Sequence, residues 1–141
     1  MDINIFSQIN YVAVLVSSIV FFLIGSFWFS GLFGSTWCEA LEEHGIKIKK
    51  PTPNEIMQKM LLTFVANVIA SIAMACLIIA TGSSTAYSGF MLGTTAALGF
   101  AATAIAGVFI WESKSLKLFL IDAGYPVIGI IVSAIILSAW H

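Results

Sequence analysis

Four long apolar runs, Ile9–Phe29, Met60–Ala80, Ala86–Trp111 and Leu116–Trp140, divide this chain, and all six lysines stand in or beside two of the gaps between them. A helix that crosses a bilayer needs about 20 mainly apolar residues. With no water in the hydrocarbon, each run must satisfy its own backbone as a helix. The pattern predicts an all-α fold: a multi-pass transmembrane bundle of four helices, with a short interfacial helix between the first two. The helices are expected over about 9–30, 53–80, 85–111 and 115–140, within a single transmembrane domain, 1–141.

The lysines also set an orientation. Lys47, Lys49, Lys50 and Lys59 belong to the first gap, and Lys114 and Lys117 to the third. The N-terminus, the second gap (Thr81–Thr85) and the C-terminus carry none, and the chain has no arginine. Cytoplasmic loops collect basic residues. Both basic gaps are therefore expected inside and both termini outside, ending with His141. The leading segment carries Asp2 and no lysine, and its apolar stretch is too long for a secretory leader, so the first run is expected to stay as a helix.

Charged residues are 9% of the chain, against about 25% in a soluble domain, which leaves no room for a soluble catalytic domain. No basic face exists to hold a nucleic acid. The lysine cluster reads as a topology determinant, with contact to anionic headgroups as the alternative. Cys38 and Cys76 fall on opposite sides of the expected bilayer and are not expected to pair.

Local signals refine the helices. Thr36 and Glu39 have capping-box spacing, Gly45 suits a helix C-terminus, and Trp37 and Leu41 share a face. Together they predict the short interfacial helix, with Trp37 at headgroup depth. Thr52, Pro53 and Glu55 form a strong start for the second helix, Glu55 and Lys59 are spaced to pair, and Gly82 can close it. Tyr11, Tyr87 and Trp140 mark the outer ends, Trp28 and Trp111 the inner ones.

From Gly93 to Gly107, twelve of fifteen residues are Gly, Ala or Thr. Helices in lipid associate through close packing of small residues. One stripe, such as Gly89, Gly93, Ala96 and Thr103, is enough for one face. Here small residues, Gly99 and Gly107 among them, go nearly all the way round. The third helix is therefore expected at the centre, touched on several sides by its own bundle and by other copies in a homo-oligomer. Lining a pore is the alternative.

Two polar stripes stand out. Lys59, Thr63, Asn67 and Ser71 are four apart on the second helix, and Asp122, Pro126, Gly129 and Ser133 share a face of the fourth, with Tyr125 beside them. At about 1.5 Å of rise per residue, Asp122 lies about 9 Å beyond Leu116, within the depth bracketed by Thr63 and Asn67. Asp122, Asn67, Thr63 and Tyr125, reached by Lys59, are thus expected to form one intramembrane cluster. An acid at the centre of a spanning helix costs about 2.5–3.5 kcal/mol, so Asp122 is a candidate proton or cation site, the more so because Pro126 removes the N–H that its carbonyl would accept. The alternative is polar glue, bonded to Asn67 or Thr63, although such bonds average only about 0.6 kcal/mol.

No Ser–His, Cys–His or paired-carboxylate set shares a layer, and His44 and His141 cannot reach Asp122. No enzyme, cofactor or metal site is expected.

Several pieces stand out as a set: Asn10-Tyr11-Val12-Ala13-Val14; Gly25, Trp28, Ser30, Phe33-Gly34 and Trp37; Glu112 to Phe119; Asp122-Ala123-Gly124-Tyr125; and Ala139-Trp140. With the Gly-rich third helix, this set resembles a family of small bacterial four-helix membrane proteins known as a domain of unknown function, DUF1761. The resemblance covers almost the whole chain. It implies a bacterial inner-membrane protein and supplies no activity. In that family Asn is common where Asp122 stands, which implies that the shared feature is a hydrogen-bonding group rather than a carboxylate. The pieces gather at the inner ends of helices one, three and four.

Two roles remain open from the residues. The leading one is binding or passage of a small solute, ion or proton at the inner polar cluster. Its rival is a structural or accessory membrane subunit whose polar residues only fix packing.

Overall fold

The computed structural model describes residues 3–47 and 50–140. Asp2, Lys49 and His141, named above, lie outside the described residues. The described chain is helical, and four of its stretches are long and apolar enough to cross a membrane: Tyr11–Leu32, Pro53–Thr81, Ala86–Trp111 and Leu116–Ala139. The protein is a multi-helix membrane protein.

The first span starts later than its apolar run. Ile3–Gln8 forms a 3-10 turn whose Ile5, with Ile9, is buried among Val14, Met74, Ile78 and Leu137. Asn10 then caps α1 (Tyr11–Phe27), its side chain accepting from the Ala13 N–H at 3.1 Å. After α1, Trp28–Leu32 forms a π-turn. The N–H of Phe33 bonds the Trp28 carbonyl, and that of Trp37 bonds Phe33. The chain therefore enters α2 (Gly34–Glu43) without a side-chain cap. The expected Thr36–Glu39 capping box is not the start, because Thr36 already lies inside the first turn. The end is as expected: Gly45 has φ +73°, and its N–H and that of Ile46 bond Glu42 and Leu41 in a Schellman arrangement.

The second span, α3 (Pro53–Thr81), begins with the expected box. Thr52 and Glu55 cap each other, Pro53 opens the first turn, and Gly82 closes the helix at φ +69°. The third span is α4 (Ala86–Ala96), a π-turn over Ala97–Ala102, then α5 (Thr103–Trp111). The fourth, α6 (Leu116–Ala139), runs through Pro126 unbroken, with Ser115 as its N-cap.

The fourth span, not the third, is central. It packs against α1, α3 and α4, whereas the third span packs on α6 and barely touches α3. Only 17% of the third span's most apolar stretch is buried, against 33% in each of the others. Gly89 and Gly93 lie against Ala134 and its neighbours on α6, and Ala97 is buried one turn beyond them. The stripe expected through Ala96 and Thr103 is broken, because the π-turn takes in an additional residue and rotates the helix beyond it. Thr103 is exposed, with its hydroxyl bonded to the Gly99 carbonyl at 2.8 Å, and the face continues at Ile105 and buried Phe109.

Candidate functional site

The expected cluster is two separate arrangements at the lysine-bearing end. Asp122 does not meet Asn67 or Thr63. Its Oδ1 accepts a hydrogen bond from Trp37 Nε1 at 2.9 Å. Tyr125 instead donates its hydroxyl to Asn67 Oδ1 at 3.0 Å. Three residues turn a helix by about 300°, so these two side chains diverge by about 60°. Asp122 turns toward α2, and Tyr125 toward α1 and α3.

The first arrangement fastens α2 beneath the bundle. Ala40 on α2 is fully buried with Leu118 and Phe109, and Trp37 and Leu41 pack beside them. Besides the Trp37–Asp122 bond, the Ser115 N–H donates to His44 Nε2 at 3.0 Å, while His44 Nδ1 lies 2.7 Å from the Ala40 carbonyl. Trp28, expected among the interfacial aromatics, points inward. Its indole N–H donates to the Ile121 carbonyl at 2.9 Å, next to the carbonyl that Pro126 deprives of a partner. The Trp28 ring also lies over Gly124, where a Cβ would stand 2.6 Å from it. Tryptophan at these positions combines a flat apolar body with one N–H donor.

The second arrangement lies between α1, α3 and α6. Tyr125 fits over Gly25, where a Cβ would come within 2.6 Å of its ring, and its edges meet Phe21 and Phe29 at 5.4 and 5.8 Å. Asn67, 4% exposed, orients the phenol; its Nδ2 has no hydrogen-bond partner among the described residues. One turn beyond Asn67, Ser71 meets Ser17 of α1 at 3.4 Å, both fully buried.

On the other side of Tyr125, a cavity of about 310 Å3 opens between α1 and α3. Its walls are Phe22, Gly25, Phe29, Ile56 and Met60, with Ser26, Lys59, Thr63 and Tyr125. Lys59, Thr63 and Tyr125 of the expected cluster therefore share one cavity, Asn67 supports it from behind, and Asp122 is elsewhere. Thr63 is exposed and spends its hydroxyl on the Lys59 carbonyl of its own helix at 2.8 Å. The expected Glu55–Lys59 pair does not form, because Glu55 Oε2 accepts from the Thr52 N–H at 3.0 Å.

Of the packing glycines expected, Gly89, Gly93 and Gly129 lie in tight seams, with Gly129 beneath the Phe21 ring. Gly99 and Gly107 meet nothing within 4 Å. Three features escape a reading of the sequence: Trp37 as the partner of Asp122, His44 as a latch and Ser17 opposite Ser71. The signal for the first is present, since the Trp37 and Asp122 pieces both fall at the lysine-bearing end of the bundle. No group of three or more metal-ligating side chains occurs among the described residues.

The residues that come together here, Gly25 with Tyr125, Trp28 with Gly124 and Trp37 with Asp122, are those on which the resemblance rests. No curated protein and no solved structure matches the chain. Residues 12–138 match the family described as Protein of unknown function (DUF1761), and the chain belongs to that family.

Proposed function

We propose that the protein binds a small amphiphilic solute in the cavity beside Tyr125, as a non-enzymatic membrane protein whose lysine-bearing end faces the cytoplasm. The observation that carries this reading is the cavity itself. At about 310 Å3 it falls in the range of small-molecule sites, and it combines mostly apolar walls with a few polar groups. Tyr125 is held rigidly enough to shape it, by Asn67 at its hydroxyl and by aromatic edges on its ring.

Passage of a proton or small ion is a second reading. It draws support from two hydrogen-bonded pairs one helical turn apart on α3, Tyr125 with Asn67 beside the cavity and Ser17 with Ser71 beyond it. Asp122 is not its charge centre: paired with Trp37, the acid serves to hold α2 in place. The third span's outward face, with Gly99, Thr103 and Gly107, would meet a second copy of the chain, since small residues permit close helix contact in lipid.

The test is solvent extraction of the purified protein, followed by mass spectrometry of what it carries. The chain is compared with Ser26→Phe, which fills the cavity from a residue exposed within it. A stoichiometric amphiphile that is depleted in Ser26→Phe is the expected result. Equal amounts in both proteins overturn the reading.

A further inference from the structure

The cavity beside Tyr125 has a twin, and the difference between them points to what the first one holds. A second cavity of about 310 Å3 is lined by Ala106, Phe109, Ile110, Lys114, Leu116 and Phe119, with Ser115. Its lysine is already neutralised: Lys114 Nζ is 2.6 Å from Glu112 Oε2 and lies 5.1 Å above the Phe109 ring. Lys59 has neither partner. Glu55, the one acid near it on its own helix, is used by the Thr52 cap, and Lys114–Glu112 is the only ion pair among the described residues.

Two of the other polar groups around the first cavity are also occupied. The Thr63 hydroxyl is bonded to its own helix and the Tyr125 hydroxyl to Asn67. What remains for a ligand is a mostly apolar slot lined by Phe22, Phe29, Ile56 and Met60, with the Ser26 hydroxyl and the unpaired Lys59 ammonium on its wall. Depth adds to this. The second span has 29 residues, about 43 Å of helix at 1.5 Å per residue, whereas the hydrocarbon is about 30 Å thick. Counting about 20 residues back from Thr81 puts the hydrocarbon boundary near Leu62. Lys59 then stands one turn further out, at the level of lipid headgroups.

We propose that the cavity holds one acyl chain of an anionic phospholipid from the surrounding leaflet, with Lys59 bound to the headgroup phosphate. This rests on the cavity being a binding site and names its ligand. The charge match selects an anionic over a zwitterionic lipid, and the lateral opening between α1 and α3 lets the chain enter from the bilayer.

The experiment uses the full chain in an uncharged detergent, incubated with equal amounts of phosphatidylglycerol and phosphatidylcholine, or with oleate in place of both. Retained lipid is counted by native mass spectrometry. One basic residue near the headgroups favours an anionic lipid by about fivefold, so phosphatidylglycerol should be retained over phosphatidylcholine by about that factor. Lys59→Gln should abolish the preference, and Lys117→Gln, at an exposed lysine away from the cavity, should keep it. Lys59→Glu should reverse it. A preference that survives Lys59→Gln, or oleate retained more strongly than phosphatidylglycerol, overturns the assignment. Ser26→Phe separates the two levels. If it empties the protein of lipid while Lys59→Gln leaves the preference intact, the cavity stands and the phosphate contact falls. If it changes nothing, the cavity reading falls with it.

Discussion

Glycines of the same sequence character meet opposite fates on the two faces of this bundle. Along the seams of the fourth span, a Cβ at Gly25, Gly89, Gly93, Gly124 or Gly129 would collide with the neighbouring helix. On the outward face of the third span, Gly99 and Gly107 have open space around them. Lipid is as apolar as leucine, so a hydrophobic surface has no reason to leave it and close fit decides which helices touch. A glycine in such a chain is informative only with the side chain that fills its gap: Phe21 for Gly129, Tyr125 for Gly25, Trp28 for Gly124. The third span has small residues on all sides and partners on one.

The severest test of this contrast is Gly129→Leu. The Phe21 ring occupies the place of the new side chain, and the fourth span has neighbours on several sides that limit its retreat. Overpacking a tight interior costs about 1–3 kcal/mol, and sometimes more. Unfolding of the purified chain by a denaturing detergent should begin well below the wild-type midpoint. An unchanged midpoint would mean that the seam is loose, and the distinction between the two faces would be lost.

A smaller loss is expected where α2 is fastened to α6. Trp37→Phe keeps the ring and removes the N–H that Asp122 accepts. Polar bonds in membranes are worth about 0.6 kcal/mol on average and up to about 1.7, so the midpoint should fall by a modest step. Asp122→Asn keeps an acceptor oxygen and should lose less than Asp122→Ala. If Asn and Ala behave alike, the indole bond is not what Asp122 contributes. His44→Ala should be of similar size, because it removes the acceptor of the Ser115 N–H at the start of α6. Protease cleavage near Gly45 reports whether α2 has come loose.

The four spans, the start of the second at Thr52–Glu55 and the turns at Gly45 and Gly82 are legible in the sequence, because each depends on local chemistry. Neighbours are harder to assign. Helical spacing alone puts Asp122 and Tyr125 in one cluster, and a 60° divergence sends them to different helices. Periodicity puts Thr103 on the packing stripe, and the π-turn at Ala97–Ala102 carries it outward. Neither π-turn has a local signal comparable to a capping box, since the apolar and small residues of Trp28–Leu32 and Ala97–Ala102 suit an α-helix as well as a π-turn. The pairing of Lys59 with Glu55 rests on a sound rule that loses to a better one: the capping box satisfies two backbone N–H groups and takes the carboxylate first.

The smallest expected effect on the chain itself is Gly99→Leu. Beyond its own stretch of helix backbone, nothing lies within 4 Å of the place where its Cβ would stand, so the unfolding midpoint should stay where it is, in contrast to Gly129→Leu. The same substitution is the most discriminating for association. If the bare face of the third span meets a second copy, a leucine there holds the two helices apart, and close packing in lipid is steeply sensitive to that distance. The expected outcome is a monomer of wild-type stability for Gly99→Leu and Gly107→Leu, read by mass of the detergent-solubilised particle beside a wild-type assembly. Assembly unchanged in both variants would show that these glycines face lipid. A lowered midpoint without dissociation would show that the face is not bare, and the contrast with the fourth span would have to be redrawn.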